Sequence, residues 1–578
     1  MTGFVLSVPE KRVSAWFAET DPRYARAWLD SLPLADTTES AREIYRAAYT
    51  INRQDLDPQQ RFELMDLYGP VVDTLCNSLQ GHLTHVALPL APKKRQIADL
   101  VRHLHTEMAF GYKACLNSLA SVRLPWTRRQ LALNASERAM RYLSEVLLRS
   151  YLAYLPYPVD VWREIHTLFR YAMVHGRENE PVNGGHSQAP ALTIRARYLQ
   201  AVLLGLTSPY QLGHGECGLI QQFLSRWAEL AQLQTNLDVR NPVGYFLVDL
   251  NADAPATPFP RGAQLSESEH LLTLNTIELV RQIHTFVSRL QRGESAHSLE
   301  LGLECLDSAC IDLMRRLVRA WALVPRRQHS RLKRQGSVFL CVGLNALRFF
   351  SNGQRPFRLP ESMNRGADAD KPLAVPDLES TNSADGDDKN EMYIALDEPG
   401  AIRAENVAGA GSVVPVSMPP SETCRADRWQ VCDVSPRGLL LSRTGEALNH
   451  VRVGDLLGVQ RSADAAHWSV GVVRWMKSPD PASLELGVEL LAPHAVPAAL
   501  WPVDGQAIHE IATIALSLPA IQAMHKPATL LLSRGLFQPD RDFYLYDGSS
   551  APRRIRLLKQ LERAGTYEQV LFAAAAEH

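Results

Sequence analysis

Residues 428–442 read Arg-Trp-Gln-Val-Cys-Asp-Val-Ser-Pro-Arg-Gly-Leu-Leu-Leu-Ser, and the reading of this stretch decides the fold of the C-terminal part. Trp429 to Val434 opens with apolar and polar side chains in alternation, the period of a half-buried strand. Leu439 to Ser442 is a second strand candidate. Between them, Asp433-Val434-Ser435-Pro436-Arg437-Gly438 supplies turn-forming residues. Downstream, Leu456 to Gln460, Trp468 to Met476 and Leu484 to Leu490 keep the strand pattern, punctuated by Gly454 and by Ser478-Pro479-Asp480-Pro481. Short strands without long helices between them predict a small barrel. Thr529 to Leu532, Phe543 to Tyr546, Arg554 to Leu558 and Glu568 to Phe572 predict a further β unit, with Asp547-Gly548 suited to a tight hairpin.

Toward the N-terminus the period changes to that of a helix. Asp57 before Pro58 is a helix start: the carboxylate accepts orphan N–H groups, and proline in the first turn loses no hydrogen bond. Ser266 and Glu269 have capping-box spacing, followed by Leu272, Leu279, Ile283, Phe286 and Leu290 as one apolar stripe. Leu143, Leu147, Tyr151 and Tyr154 form another. Similar patterns lie near 39–53, 58–88, 93–120, 158–176, 191–206, 216–233 and 303–323, and Val243 to Leu250 is the one strand candidate. Residues 1–323 are therefore expected to form an all-helical domain.

At Pro325 the character shifts again. Arg326, Arg327, Arg331, Lys333 and Arg334 form a basic cluster, and Ser337 to Phe350 reads as an apolar, strand-prone run. Ser351 to Pro420 is rich in proline, aspartate, serine and glycine and poor in aromatics. Such a stretch buries too little surface to offset its ordering entropy, so 351–422 is expected to be a disordered insertion.

Composition bounds the function. A chain of 578 residues implies roughly two or three domains. With 46% apolar and 21% charged residues it is ordinary for a soluble protein, and a net charge of −1 provides no global field for nucleic acid or membrane. No apolar run approaches the ~18 residues of a membrane helix, and Met1 to Ala15 lacks a signal-peptide core. The expectation is a cytoplasmic protein with its eight cysteines reduced. His214, Glu216 and Cys217 lack a second pair at zinc spacing, Cys305 and Cys310 read as packing residues on a helix, and His103, His105 and Glu107 spread over different helix faces. With no Gly-x-Ser-x-Gly elbow and no phosphate loop, neither a catalytic residue nor a metal site is expected, and the chain does not read as an enzyme.

The Asp-x-Ser-x-x-Gly pattern of Asp433, Ser435 and Gly438 is similar to the turn motif of PilZ domains, a family that binds cyclic di-GMP. Val470 to Met476 and Leu486 to Leu490 look like later strands of that barrel. The family's other motif is Arg-x-x-x-Arg on the chain entering the barrel. Arg425 and Arg428 are spaced wrongly, whereas Arg327 and Arg331 fit and directly precede the run Ser337 to Phe350. The resemblance implies a multidomain α+β chain: the helical domain, then a split PilZ-like antiparallel β-barrel over 325–350 and 423–495. A small β unit over 505–578 is expected to pack on that barrel and extend its sheet. Closure cost grows only logarithmically with loop length, so the long insertion is tolerable.

The resemblance also implies a site. Arg327 and Arg331, with Arg326 and Arg334 as auxiliary charges, would pair with guanine edges and phosphates or stack on a guanine face. Asp433 would accept from guanine N–H groups, Ser435 would bond ligand or turn backbone, and Gly438 would allow close approach. Gly-Gly-Asp-Glu-Phe and Glu-Ala-Leu signatures are absent, so the chain does not look like a maker or degrader of the dinucleotide. The function implied is a bacterial, cytoplasmic cyclic di-GMP effector that presents a protein-partner surface on its helical domain. Taken alone, however, a basic run also reads as a solvated linker, and Asp433 and Ser435 as residues that merely close a turn. The rival is therefore an interaction scaffold or chaperone-like protein with a degenerate, non-binding barrel. Whether Arg327 and Arg331 reach Asp433 separates the two.

Overall fold

Asp57 accepts the N–H of Gln59 and Pro58 fills the first turn, so a long helix opens where the sequence places it. The computed structural model describes residues 5–83, 88–120, 126–182, 191–262, 265, 268–299, 301, 307–322, 331–357, 424–445, 450–461, 467–503, 513–548 and 551–575. The N-terminal part contains α1 (Pro22–Asp30), α2 (Thr37–Asn52), α3 (Pro58–Gly81), α4 (Pro92–Ala120), α5 (Trp126–Leu152), α6 (Val161–Val174), α7 (Ile194–Leu206) and α8 (Glu216–Trp227). Asp21, Asp36 and Thr193 also cap their helices through side-chain oxygens, each such cap contributing about 1 kcal/mol. The core runs through Tyr68, Val72, Leu104, Met108, Leu143 and Leu147, all buried. Within it Lys113 donates to Glu164 at 2.7 Å, an ion pair with both charges satisfied.

Beyond the helices comes a feature that the all-helical expectation for 1–323 lacks. The strands β1 (Gln232–Gln234), β2 (Tyr245–Asp249), β3 (Thr257–Pro258) and β4 (Leu271–Asn275) form a four-stranded sheet in the order β1-β4-β2-β3. The candidate Val243 to Leu250 is β2, but Leu272 belongs to β4 and not to a helical stripe. The helix α9 (Ile277–Gln291) starts later, its Ile277 N–H held by the Asn275 side chain, and buries Leu279, Ile283, Phe286 and Leu290 as expected. Ser266 of the expected capping box lies outside the described residues, and between Glu269 and α9 the chain pairs with β2. In α10 (Asp307–Ala322), Cys310 is buried in the core as a packing residue, but it is disulfide-bonded, so the uniformly reduced state does not hold there. Cys305 lies outside the described residues. Burial raises the free thiols of Cys76, Cys115, Cys217 and Cys341, those of Cys115 and Cys341 to about 12.

The first barrel is closed by six strands in the order β10-β7-β6-β5-β8-β9. They are β5 (Leu332–Val342), β6 (Asp427–Ser435), β7 (Gly438–Thr444), β8 (Leu456–Gln460), β9 (Ser469–Lys477) and β10 (Ser483–Ala492). The run Ser337 to Phe350 is not one strand. Gly343, at φ +89°, turns the chain into the helix α11 (Leu344–Ser351), which buries Ala346 and Leu347. The expected insertion 351–422 begins too early as well: residues 351–357 finish that helix and a turn, and Phe357 is buried with its ring 6.0 Å from Tyr546. The remainder of the insertion falls outside the described residues.

The last β unit is a second closed barrel, ordered β11-β12-β13-β16-β15-β14. Its strands are β11 (Val496–Pro502), β12 (Thr513–Leu518), β13 (Thr529–Ser533), β14 (Asp542–Tyr546), β15 (Arg553–Arg563) and β16 (Tyr567–Ala574). Pairing of β11 with both β12 and β14 closes the ring, so the unit has its own core of Leu500, Ala515, Leu530, Leu545, Leu557 and Val570 and does not extend the sheet of the first barrel. No helix among the described residues is long and apolar enough to cross a membrane.

Candidate functional site

On β6, Asp427, Trp429 and Val431 are buried while Arg428 and Gln430 are exposed. Strict alternation would put Asp433 inside with Val431. It does not lie there. The register with β7 pairs Val431 with Leu441 and then Asp433 with Leu440, so Cys432 is an extra residue, a β-bulge. Leu439 and Leu441 point inward, both buried, and Leu440 points outward, half-buried. The bulge therefore carries Asp433, and after it Ser435 opposite Gly438, onto the outer face of the barrel.

Arg331, immediately before β5, meets this face. Its Nη1 donates to Asp433 Oδ2 at 3.2 Å across 102 residues of sequence, with the arginine side chain 47% exposed and the aspartate 17%. Ser435 Oγ donates to the Gly438 carbonyl at 3.3 Å, which locks the turn. A Cβ on Gly438 would sit 2.9 Å from the backbone carbonyl of Val488, so the strand β10 leaves room only for glycine. On the same side, Glu489, which lies opposite Gly438, accepts from Arg474 at 2.8 Å and from Arg437 at 3.4 Å. Beside Asp433, a groove of about 610 Å³ runs between Lys333–Gly336 of β5 and Gln430–Cys432 of β6, and Arg334 lines it. Partial cover, then the carboxylates of Glu485 and Asp433, raise the Cys432 thiol above its ordinary value.

Of the residues singled out by sequence, Arg331, Asp433, Ser435 and Gly438 come together, with Arg334 alongside. Arg326 and Arg327 lie outside the described residues. Sequence reasoning passed over Glu489, Arg437 and Arg474; the signal was present as charges set within or beside apolar strands. His214, Glu216 and Cys217 do not gather around a metal: Glu216 opens α8, pairs with Arg316 and accepts from the Gly213 N–H, and Cys217 is packed inside. No group of three potential metal ligands occurs among the described residues.

A closed barrel whose turn carries Asp433, Ser435 and Gly438, with an arginine from the entering chain against Asp433, is a PilZ arrangement, and this part of the chain is a PilZ-like domain. Residues 245–497 match the family described as the middle PilZ domain of the cyclic-di-GMP receptor FimW. Residues 23–238 match that receptor's N-terminal domain family, and residues 499–575 its C-terminal β-barrel domain family. The helical part, which no sequence motif identified, thus matches a domain family of the same receptor. Over 576 residues the chain is 27% identical to the protein named Cyclic-di-GMP receptor FimW of Pseudomonas aeruginosa, a match covering 97% of this chain and 91% of that one. No solved structure matches.

Proposed function

We propose that this protein is a cytoplasmic, non-enzymatic receptor for cyclic di-GMP. The observation that carries the reading is the Arg331–Asp433 contact at 3.2 Å, which supports reading the two motif halves as one site. Full-length similarity to a protein named as a receptor for this dinucleotide supports it. Arg331, released from Asp433 or shared with it, supplies a planar fork for guanine or phosphate, and Arg334 adds charge along the groove. Arg327, by its spacing, is the second arginine of the pair, with Arg326 beside it. Asp433 accepts from the guanine N–H edge, while Ser435 and Gly438 hold the turn that presents it.

Coupling to the helical region has a physical route. The Ser478 N–H, at the β9 end, donates to the Tyr154 carbonyl at 2.8 Å, and the Lys477 ammonium lies 5.3 Å from the Tyr210 ring centre. A ligand that binds one arrangement of these parts better than another shifts the population between them. The proposed output is a protein partner on the helical region, where Val13, Phe17 and Tyr24 are largely exposed. Calorimetric titration with cyclic di-GMP tests the reading. Saturable binding that Arg331→Ala abolishes, with circular dichroism unchanged, is expected. Absence of binding to the intact protein at high ligand concentration refutes it.

A further inference from the structure

The outer face that carries Asp433 continues across the sheet. Asp433 lies opposite Leu440 on β7, and Leu440 lies opposite Gly487 on β10. The flanking Leu486 and Val488 are buried inside, so Gly487 shares the outward direction of Leu440. A Cβ on Gly487 would fall 1.8 Å from Nε1 of Trp475 and within 2.4 Å of two further atoms of the same ring. The indole of Trp475 therefore lies flat across the glycine, in a place that any other residue would fill. Trp475 and Leu440 are both half-buried. They form an apolar floor that begins at Leu440, one strand from Asp433, and ends at the Trp475 ring over Gly487, two strands and roughly 10 Å away at the usual strand spacing.

We infer that Trp475 is a stacking platform for one guanine of the dinucleotide, an inference that rests on the function proposed above. The Arg331–Asp433 pair offers hydrogen bonds and charge and no wide apolar surface, whereas a purine presents two large faces as well as a polar edge. Stacking on an aromatic ring recovers the face term, and indole is the largest such ring. Glycine at 487 sets the height of the platform, because it lets the indole settle against the sheet. Arg474, adjacent to Trp475 in sequence, is fixed by Glu489, so the two residues hold their geometry before any ligand arrives.

The test is a titration of the full-length protein with cyclic di-GMP, comparing wild type, Trp475→Ala and Trp475→Phe, each checked by circular dichroism and melting temperature. Trp475→Ala is expected to weaken binding between about 5-fold and about 100-fold, and Trp475→Phe to weaken it less, in line with the range for one stacked base. A folded Trp475→Ala that binds within 2-fold (~0.4 kcal/mol) of wild type overturns the inference alone. Where Trp475→Ala does not fold, tryptophan fluorescence of Trp475→Phe decides: ligand-dependent quenching seen in wild type is lost if guanine stacks on this ring, and retained quenching overturns the platform. A wild type that binds no dinucleotide overturns the underlying function and this inference with it.

Discussion

Asp433 faces outward directly after a cysteine that has no partner across the strand pair. That makes a sharp prediction at the residue scale. Deleting Cys432 leaves Asp433 directly after Val431, still opposite Leu440 and facing outward, but removes the local bend and twist that a bulge gives the strand. The deletion variant is expected to fold and to bind the dinucleotide more weakly in titration, because Asp433 is re-aimed relative to Arg331, whereas Cys432→Ser, which keeps the extra residue, should bind as wild type; unchanged binding by the deletion variant would show that the bulge does not aim the carboxylate. Gly438→Ala is expected to lower stability by about 1–3 kcal/mol in denaturant unfolding, because its methyl group meets the Val488 carbonyl; unchanged stability would show that β10 yields freely. The motif itself was legible, since Asp433, Ser435 and Gly438 sit within one turn and Arg331 within one short basic run. The bulge was not. It is a property of register between two strands, and six residues of strand sequence hold no mark that tells an inward from an outward Asp433.

Among the elements, those with local punctuation were readable and those defined by distant pairing were not. Asp57-Pro58 opens α3 as its chemistry requires, and Asp547-Gly548 lies between the paired strands β14 and β15. By contrast, β4 resembled the start of a helix because Leu272 falls in phase with Leu279, and only pairing with β2 decides otherwise. Gly343 was the missed mark that splits the Ser337 to Phe350 run into strand and helix. In the second barrel, Asp542 begins β14 and accepts from Arg554 and Arg556 of the neighbouring strand, each at 2.6 Å. The Arg556 hydrogen bond first, then that of Arg554, opposed by partial desolvation, pushes the carboxyl down to about 2. Its folded value lies below the ordinary value of about 3.9, so its contribution to stability is complete above that pH. It is lost as pH falls from about 4 to about 2. Asp542→Asn is therefore expected to lower the melting temperature at neutral pH, with the gap from wild type closing as pH approaches 2. A gap that stays constant with pH would mean that the pair contributes by shape alone.

For the whole molecule, sequence patterning announced helices first and strands last, and the structure keeps that order while adding the four-stranded sheet and a second closed barrel. Closure was hidden because β11, Val-Pro-Ala-Ala-Leu-Trp-Pro, carries two prolines that argue against an interior strand, yet it pairs on both sides. The helical part carried no motif at all, and its kinship emerged only from similarity along the full chain. At this scale the central claim is that two segments separated by a long stretch of sequence act as one site. Hydrogen exchange read by mass spectrometry, with and without cyclic di-GMP, tests it most directly. Added dinucleotide is expected to protect peptides spanning 331–336 and 430–438 together, at the same ligand concentration. Protection of neither segment, or of one without the other, would contradict it.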